Sequence, residues 1–525
     1  MITLIVLVTI IPYPSTPSWE STDGGYTTGG FFVDVDRDGD IDLAVSNGND
    51  MAQQANRVYY NSGSMLETSA SWQSSDMDYH GHCVCGDINN DGYPELAVSN
   101  YGAFAPNLDK LYMNNNGTYE SNPSWTPSAT DNSFGCAFGD VDNDGDLDLA
   151  FACGERYTSS PQRVKLYMNN NGTLEQTPSW QSNVQSYFYD VEWVDIDNDG
   201  DLDLGCAADG EVNLIYENLG GSLGSSPYWQ SSDNEGTIEI VFGDVDGDGD
   251  LDMVAANNAQ ISGSSRLVMY RNLGTILETS PSWQSVQKQY YSCCAFGDVD
   301  MDGDLDLAGG GWWEPLIIFE NRNGNYNSTP DWSWITSSSS DLVCEEIAFA
   351  DIDNRLSPTV TAEEHPVTPS HRLVYLSNRH IRAITTITYS GGQVNASDYC
   401  FSTVDGWVAF DSIFSGQDTV RVTYRYSRDV DICVTNWRNS RGNFLFLNEG
   451  SGVVEENPIV VNNRYEFPTI IRSNITIPLS IGDYSIYDIS GRVVAAGRRR
   501  NVALKPGVYF IRTSRGVQKK FVVIK

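Results

Sequence analysis

The chain has 525 residues, and 70 acidic side chains against 31 Lys and Arg give it a formal net charge of −39. A surface this acidic repels a polyanion, which excludes nucleic acid as the expected partner. The length allows three or four domains, although single β domains often exceed the usual unit, so internal repeats decide the count.

At the N-terminus, residues 2–11 form an apolar run, Ile-Thr-Leu-Ile-Val-Leu-Val-Thr-Ile-Ile. It has the length of a signal-peptide core and is too short to cross a bilayer as a helix. No Lys or Arg precedes it and no small-x-small site follows. Residues 1–14 are read as an imperfect signal peptide, and no transmembrane span is expected.

A short acidic pattern then recurs. Its clearest copy is Asp140-Val-Asp142-Asn-Asp144-Gly145-Asp146-Leu-Asp148-Leu149. Ca²⁺ is a hard cation that takes six to eight oxygens at about 2.3–2.6 Å, and carboxylates at alternating positions supply them where a Gly turns the chain back. Asp140, Asp142 and Asp144 stand at positions 1, 3 and 5, Gly145 makes the turn, Asp146 offers its carbonyl and Asp148 closes the shell. The opening matches the EF-hand loop. The end differs, because an Asp at position 9 leads straight into a strand-like run.

Five further full copies place expected ligands along the chain. They are Asp34, Asp36, Asp38, Asp40 and Asp42; Asp87, Asn89, Asp91, Tyr93 and Glu95; Asp195, Asp197, Asp199, Asp201 and Asp203; Asp244, Asp246, Asp248, Asp250 and Asp252; and Asp298, Asp300, Asp302, Asp304 and Asp306. The second copy closes with the longer Glu95, which leaves its affinity open. These six loops hold 28 of the 70 acidic residues. About six Ca²⁺ sites would bring the net charge to about −27, so much of the acidity belongs to metal.

Counting a partial seventh copy at Asp351, the first Asp recurs at intervals of 53, 53, 55, 49, 54 and 53 residues. Trp19, Trp72, Trp125, Trp180, Trp229, Trp283 and Trp332 keep the same beat, as does an apolar strand ending in Asn61, Asn114, Asn169, Asn218, Asn272, Asn321 or Asn448. Each repeat reads as four short strands: Cys136–Asp140, Leu147–Cys153, Val164–Met168 and one around Trp180, with the acidic loop joining the first two. Asn116-Gly117, Asn171-Gly172 and Asn323-Gly324 predict type I′ turns between the third and fourth strands. No segment has a convincing 3.6-residue period. Four antiparallel strands per period of about 50 residues predict an all-β chain folded as a seven-bladed β-propeller over residues 15–449. Trp19 precedes the first loop and no Trp follows the strand at 444–447, so the N-terminal strand is expected to complete the seventh blade. Cys83, Cys136 and Cys294, four residues before their loops, read as small buried residues of strands rather than disulfide partners.

The repeats resemble the FG-GAP or VCBS-type repeats of integrin α-subunit propellers and of many bacterial surface proteins. Phe138-Gly139-Asp140, Phe242-Gly243-Asp244 and Phe296-Gly297-Asp298 carry the resemblance, which implies calcium in the acidic loops and a seven-bladed ring.

The seventh repeat opens as Asp351-Ile-Asp353-Asn354 and resumes at Asp429-Val-Asp431. The insert between, residues 355–428, alternates as strands do (Ile384–Tyr389, Val420–Tyr426) and predicts a small β module. Position 5 of that loop is lost, and no Ca²⁺ is expected there.

Residues 450–463 read as a linker. From Arg464 onward there are twelve Lys or Arg against three acidic residues. Tyr487-Asp-Ile-Ser-Gly-Arg492, Leu504-Lys-Pro-Gly-Val-Tyr-Phe-Ile-Arg512 and Lys519-Lys-Phe-Val-Val-Ile-Lys525 resemble the type A C-terminal sorting domain of the type IX secretion system. The resemblance implies a β-sandwich-like domain over residues 464–525, export to the cell surface or medium, and the secretion machinery as a partner.

Other chemistry is thin. In His80-Gly-His82-Cys83-Val-Cys85, strand alternation puts the thiols on one face and the imidazoles on the other, which spoils a single tetrahedral zinc site. No nucleophile elbow, phosphate loop or dinucleotide fingerprint occurs, and a carboxylate that holds Ca²⁺ is a poor general acid. The expected function is a secreted or surface binding module rather than an enzyme. The alternative is a polysaccharide lyase built on a calcium-containing propeller. Because antiparallel strands alternate ends, the loops opposite the acidic ones form a second face, carrying Tyr26, Tyr79, Tyr101, Phe104, Tyr157, Tyr187, Tyr189, Tyr290, Tyr291, Trp312 and Trp313. Tyr290, Tyr291, Trp312 and Trp313, the last two on a flexible exposed loop, are the expected border of a glycan or protein ligand site.

Overall fold

The computed structural model describes residues 11–450, apart from 103–104, 261–262, 337 and 339–340, together with the strands between 470 and 524. Two compact units are present, residues 1–451 and 452–525.

In the first unit each repeat forms an antiparallel set of strands, and those of the fourth and fifth repeats join in one eight-stranded sheet. The third repeat contributes Ser133–Gly139, Asp148–Glu155, Lys165–Tyr167 and Trp180–Gln181, paired in that order. The first strands of successive repeats are Thr27–Val33, His80–Gly86, Ser133–Gly139, Phe188–Val194, Glu235–Gly243, Tyr291–Gly297 and Cys344–Ala350. Each contacts the next, and the last contacts the first. The fold is a β-propeller with these strands innermost. Asn116, Asn171 and Asn323 and the glycines after them all have positive φ, as type I′ turns require.

Closure uses the N-terminus. Trp19 pairs with Leu445 and Glu20 with Phe444, in the sheet that also holds Asp431–Asn436 and Cys344–Ala350. The recurring Trp and Asn explain why the sheets stay together. Each Trp lies on the fourth strand of one sheet and stands edge-on against an aromatic ring of the next, as in Trp72 on Tyr112 at 6.0 Å and Trp125 on Tyr167 at 5.4 Å. Trp19 on Tyr59, at 5.6 Å, completes the circuit. Such aromatic pairs contribute about 0.5–1.5 kcal/mol beyond the area they bury.

The body takes in Ile11–Tyr13, upstream of the boundary expected at residue 14. Ile11 and Tyr13 are buried, and the Tyr13 hydroxyl donates to the Val430 carbonyl at 2.6 Å. All ten cysteines are buried and unbonded, with the sulfurs of Cys293 and Cys344 3.0 Å apart.

The insert is a β module of two sheets. One holds Thr359–Val367, Asp418–Tyr426, Ile381–Tyr389 and Gly392–Gln393, the other Leu373–Tyr375, Trp407–Phe410 and Tyr399–Phe401. Val367, Ile387, Phe410 and Val422 fill its core, while Leu373, Cys400 and Trp407 pack into the core of the third and fourth repeats.

In the second unit, Gly507–Thr513 pairs with Gln518–Ile524 and Tyr484–Asp488, and Val493–Gly497 and Ile470–Arg472 extend that sheet. Asn474–Thr476 and Asn501–Ala503 form a separate pair. Of the linker read at 450–463, only Gly450 lies within the described residues, and the signal-peptide reading is described only from Ile11.

Candidate metal centres and the opposite face

The acidic loops share one geometry. The carboxylate at position 1 accepts hydrogen bonds from the turn: Asp140 Oδ1 from Asp144 N and Oδ2 from Gly145 N, both at 2.9 Å. These bonds pull the backbone back, so that side-chain oxygens at alternating positions face inward. Oxygens of Asp140, Asp142 and Asp148 lie within 4.8 Å of one another, as do those of Asp34, Asp36 and Asp42. The same holds for Asp195, Asp197 and Asp199, for Asp244, Asp246 and Asp248, and for Asp298, Asp300 and Asp302. Buried oxygens of Asp34, Asp142 and Asp298 have no hydrogen-bond donor. Hard oxygens at this spacing, some left unpartnered, fit a calcium-sized cation.

Position 9 does more than close the shell. One oxygen of Asp148 accepts from Val141 N at 3.0 Å, and the other from Asn169 N at 2.7 Å. The Asn169 amide donates to the Ile88 carbonyl of the preceding loop at 2.7 Å. This linkage recurs from Asn61, which reaches Ile352 at 2.8 Å, to Asn448, which reaches Val299 at 2.8 Å. The recurring Asn therefore ties every acidic loop to its neighbour. Glu95, despite its extra methylene, makes the equivalent bonds to Ile88 N and Asn114 N.

Position 7 is used differently. Asn90, Asn143, Asn198 and Asn354, at position 4, donate to the carboxylates of Asp146, Asp201, Asp250 and Asp40 at 2.6–2.8 Å. Where the second loop has Tyr93, Arg37 lies over its ring at 5.1 Å. Position-7 side chains thus link neighbouring loops, which leaves the backbone carbonyl as the donor expected at that place.

Burial raises these carboxylates, helped by their neighbours' charges: Asp140 to about 8, Asp42 and Asp203 to about 8, Asp306 to about 9 and Asp298 to about 7. A cation reverses that tendency by stabilising the charged form. The seventh repeat keeps the frame, since Asp431 accepts from Ile352 N and Asn448 N at 2.7 Å. There Arg355 Nε stands 3.4 Å from Asp429, and Arg382 Nη1 3.7 Å from Asp351. Two guanidiniums supply the positive charge in that loop.

The insert interrupts the seventh acidic loop and so emerges on that face, where it reaches over other loops. His371 Nδ1 lies 3.0 Å from the Asp199 carbonyl, the Tyr375 hydroxyl accepts from Asp195 N at 3.1 Å, and Arg382 donates to the carbonyls of Asp351 and Gly39 at 2.7 Å. Gly200, at φ +95°, leaves room for His371 where a Cβ would collide. Between insert and loops runs a groove of about 770 Å³, lined by Asp195, Asp244, Asp298, His365, His371 and Arg428 among others.

On the opposite face the aromatic residues divide. Tyr101 and Tyr189 are buried with Phe134 and Ile238, and Tyr79 and Tyr187 pack against them. Tyr291, expected at the ligand border, is fully buried in the core of the fifth and sixth repeats, because strand alternation turns it inward where Tyr290 turns outward. Trp312 and Trp313 are half-buried and not a loosely held loop: Trp312 N donates to the Tyr290 carbonyl at 2.9 Å, and Trp313 N to the Leu342 carbonyl at 3.0 Å. Their rings form a patch, Trp313 with Tyr290 at 6.4 Å and Trp312 with Trp313 at 6.2 Å. Phe104 lies outside the described residues.

A family model described as an FG-GAP-like repeat matches residues 34–98, 99–151, 155–206 and 195–255. No curated protein matches in sequence. Among solved structures, a crystal structure of BBS1N in complex with ARL6DN aligns over 78% of this chain and 97% of that one, at 9% identity and a TM-score of 0.41, too distant to carry any conclusion. Within residues 34–255 the chain is similar to FG-GAP-like repeats, and its fold is a β-propeller.

Proposed function

We propose that this protein is a secreted or cell-surface, seven-bladed propeller that holds Ca²⁺ in six loops and acts as a binding or adhesion module. Its metal is structural, and its C-terminal domain, residues 464–525, addresses it to the secretion machinery. The observation that carries the binding reading is the fixed patch of Tyr290, Trp312 and Trp313 on the face the insert leaves uncovered. Aromatic rings held by backbone bonds lose little entropy when a glycan or partner protein docks on them.

Replacing Trp312 and Trp313 together by Ala is expected to weaken binding to a responsive glycan or cell surface by at least tenfold, the loss typical of central aromatic contacts. Calcium-dependent melting should stay unchanged. Unaltered binding would place the site elsewhere.

The groove between insert and acidic loops favours a second reading, a polysaccharide lyase, since it brings His371 and Arg428 beside carboxylates that would hold Ca²⁺. Incubation with a panel of uronate polysaccharides separates the two. A rise in unsaturated-uronate absorbance that His371→Ala abolishes would establish the lyase, and no turnover is the result expected of a binding module.

Export has its own test. Mass spectrometry of the protein recovered from the surface or medium is expected to show the segment from about residue 464 removed or replaced. Finding Lys525 intact would count against the sorting role.

A further inference from the structure

The seven inner strands enclose a central cavity of about 180 Å³, closed on the acidic-loop side by the insert's Arg379–Arg382 and Phe401–Asp405. Counting back from each acidic loop, the residue five before its first Asp is Gly29, His82, Gly135, Asp190, Glu239, Cys293 or Glu346. Four of these, His82, Asp190, Glu239 and Glu346, line the cavity. Each comes from a different strand at the same level of the ring. Burying a charged group without a partner is costly, so three acids and an imidazole at one level call for a reason.

The geometry brings them together. Gly29 stands between the seventh and second repeats, so close to the next strand that a Cβ there would fall 2.7 Å from His82 Cα. With no side chain in the way, His82 Nδ1 reaches to 3.4 Å from Glu346 Oε2. That is about the separation of two ligand atoms sharing one tetrahedral ion at about 2.1 Å. Glu239, Glu346 and Asp190 lie near enough for their charges to act on one another. Glu239 Oε2 is oriented by Cys294 N at 2.8 Å, and Asp190 Oδ2 by Ile240 N at 3.1 Å. Ligating carboxylates are commonly held in place by such bonds.

A second observation points to a ligand. His82 is only 5% exposed; Nδ1 is its ring nitrogen near Glu346, and the other, Nε2, is buried without a hydrogen-bond partner. The insert's Arg379 does not neutralise the ring, because it is engaged by Asp405 and by the Phe242 carbonyl.

We propose that His82, Asp190, Glu239 and Glu346 form an internal site for one divalent transition-metal cation, distinct in chemistry from the acidic loops. One imidazole with carboxylates suits Zn²⁺, Mn²⁺, Fe²⁺ or Co²⁺, whereas all-oxygen loops suit Ca²⁺. The ligands join the second, fourth, fifth and seventh repeats across the axis, so the ion staples the ring from inside. The reading is independent of any ligand on the outer face.

Co²⁺ serves as the probe, added to the full-length protein in excess Ca²⁺ so that the outer loops are occupied. One equivalent of Co²⁺ should bind and give visible d–d absorption that Ca²⁺ does not displace. The near-isosteric Glu346→Gln and Glu239→Gln should each weaken that binding at least tenfold, and His82→Gln should also shift the band, while the response of melting to Ca²⁺ stays as in the parent. Absence of the band, or its loss as Ca²⁺ is raised, overturns the proposal using the parent protein alone, whatever the variants do. Thiolate charge-transfer absorption would assign the ion to the cysteines, and a band that survives Glu346→Gln would also overturn it.

Discussion

Removing Ca²⁺ with a chelator is expected to lower the melting temperature on the order of 10 °C. Extracellular calcium modules commonly bind with Kd of about 10⁻⁴–10⁻³ M, so at 10 mM Ca²⁺ the weakest such site adds about 1.4 kcal/mol and a tenfold tighter one about 2.7. Six loops linked through Asn and Asp side chains add these increments within one cooperative ring. The pH dependence has a definite sign. Asp140 and Asp203 rise from the unfolded value of 3.8 to about 8 when folded, and Asp306 to about 9. Stability from these protonated carboxyls is full below about pH 4 and is lost as pH rises through 8 to 9. Ca²⁺ binds the deprotonated form, so the gap between calcium and chelator melting curves should widen from pH 5 to pH 8. Curves indifferent to chelator, or a gap that narrows with pH, would remove calcium from the account of stability.

Deleting residues 15–24 is expected to open the ring. The segment supplies Trp19, 5% exposed, to a cluster with Phe32, Leu43, Tyr59 and Leu445. It also supplies the backbone bonds that Ser18 N and Ser21 N donate to the carbonyls of Leu445 and Asn443 at 2.8 and 3.0 Å. Losing the Trp side chain alone costs about 3–5 kcal/mol. The bonds between Glu20 and Arg441, at 2.6 and 2.9 Å, are partly exposed and add little. The strand at Phe444–Phe446 then becomes an apolar free edge, which invites strand addition by another copy. Light scattering should show oligomers or aggregate, and Trp19→Ala should lower stability without them, because its backbone still pairs. A deletion variant as monomeric and stable as the parent would show that the ring closes some other way.

Much of this protein is legible because it repeats. A carboxylate pattern with Gly at position 6 dictates a turn from local bonds alone, and Asp140 makes those bonds to Asp144 N and Gly145 N without help from the rest of the fold. The beat of Trp and Asn likewise announces sheets of one kind, and the Trp before the first loop announces where the last sheet finds its partner. The same beat held the aligned positions of the inner ring, from Gly29 to Glu346. They are visible only when the loops are superposed, because no two of them are adjacent in sequence.

Tertiary structure decided what the pattern does not encode. The insert's strands follow from alternation, but its seat over the acidic loops depends on His371, Tyr375 and Arg382 meeting backbone groups of other repeats, and nothing local specifies those encounters. Tyr290 and Tyr291 are chemically alike, and only the direction in which the strand turns sends one to solvent and the other into the core. His82 shares its motif with His80, yet His80 is buried against the Asn47 carbonyl and Lys110, while His82 meets Glu346 of a repeat more than 260 residues away. Composition, repeat number and turn chemistry are local properties that the amino-acid sequence determines by itself. Which side chains face one another across the axis is settled only when the ring closes, because closure brings together strands that the chain keeps far apart.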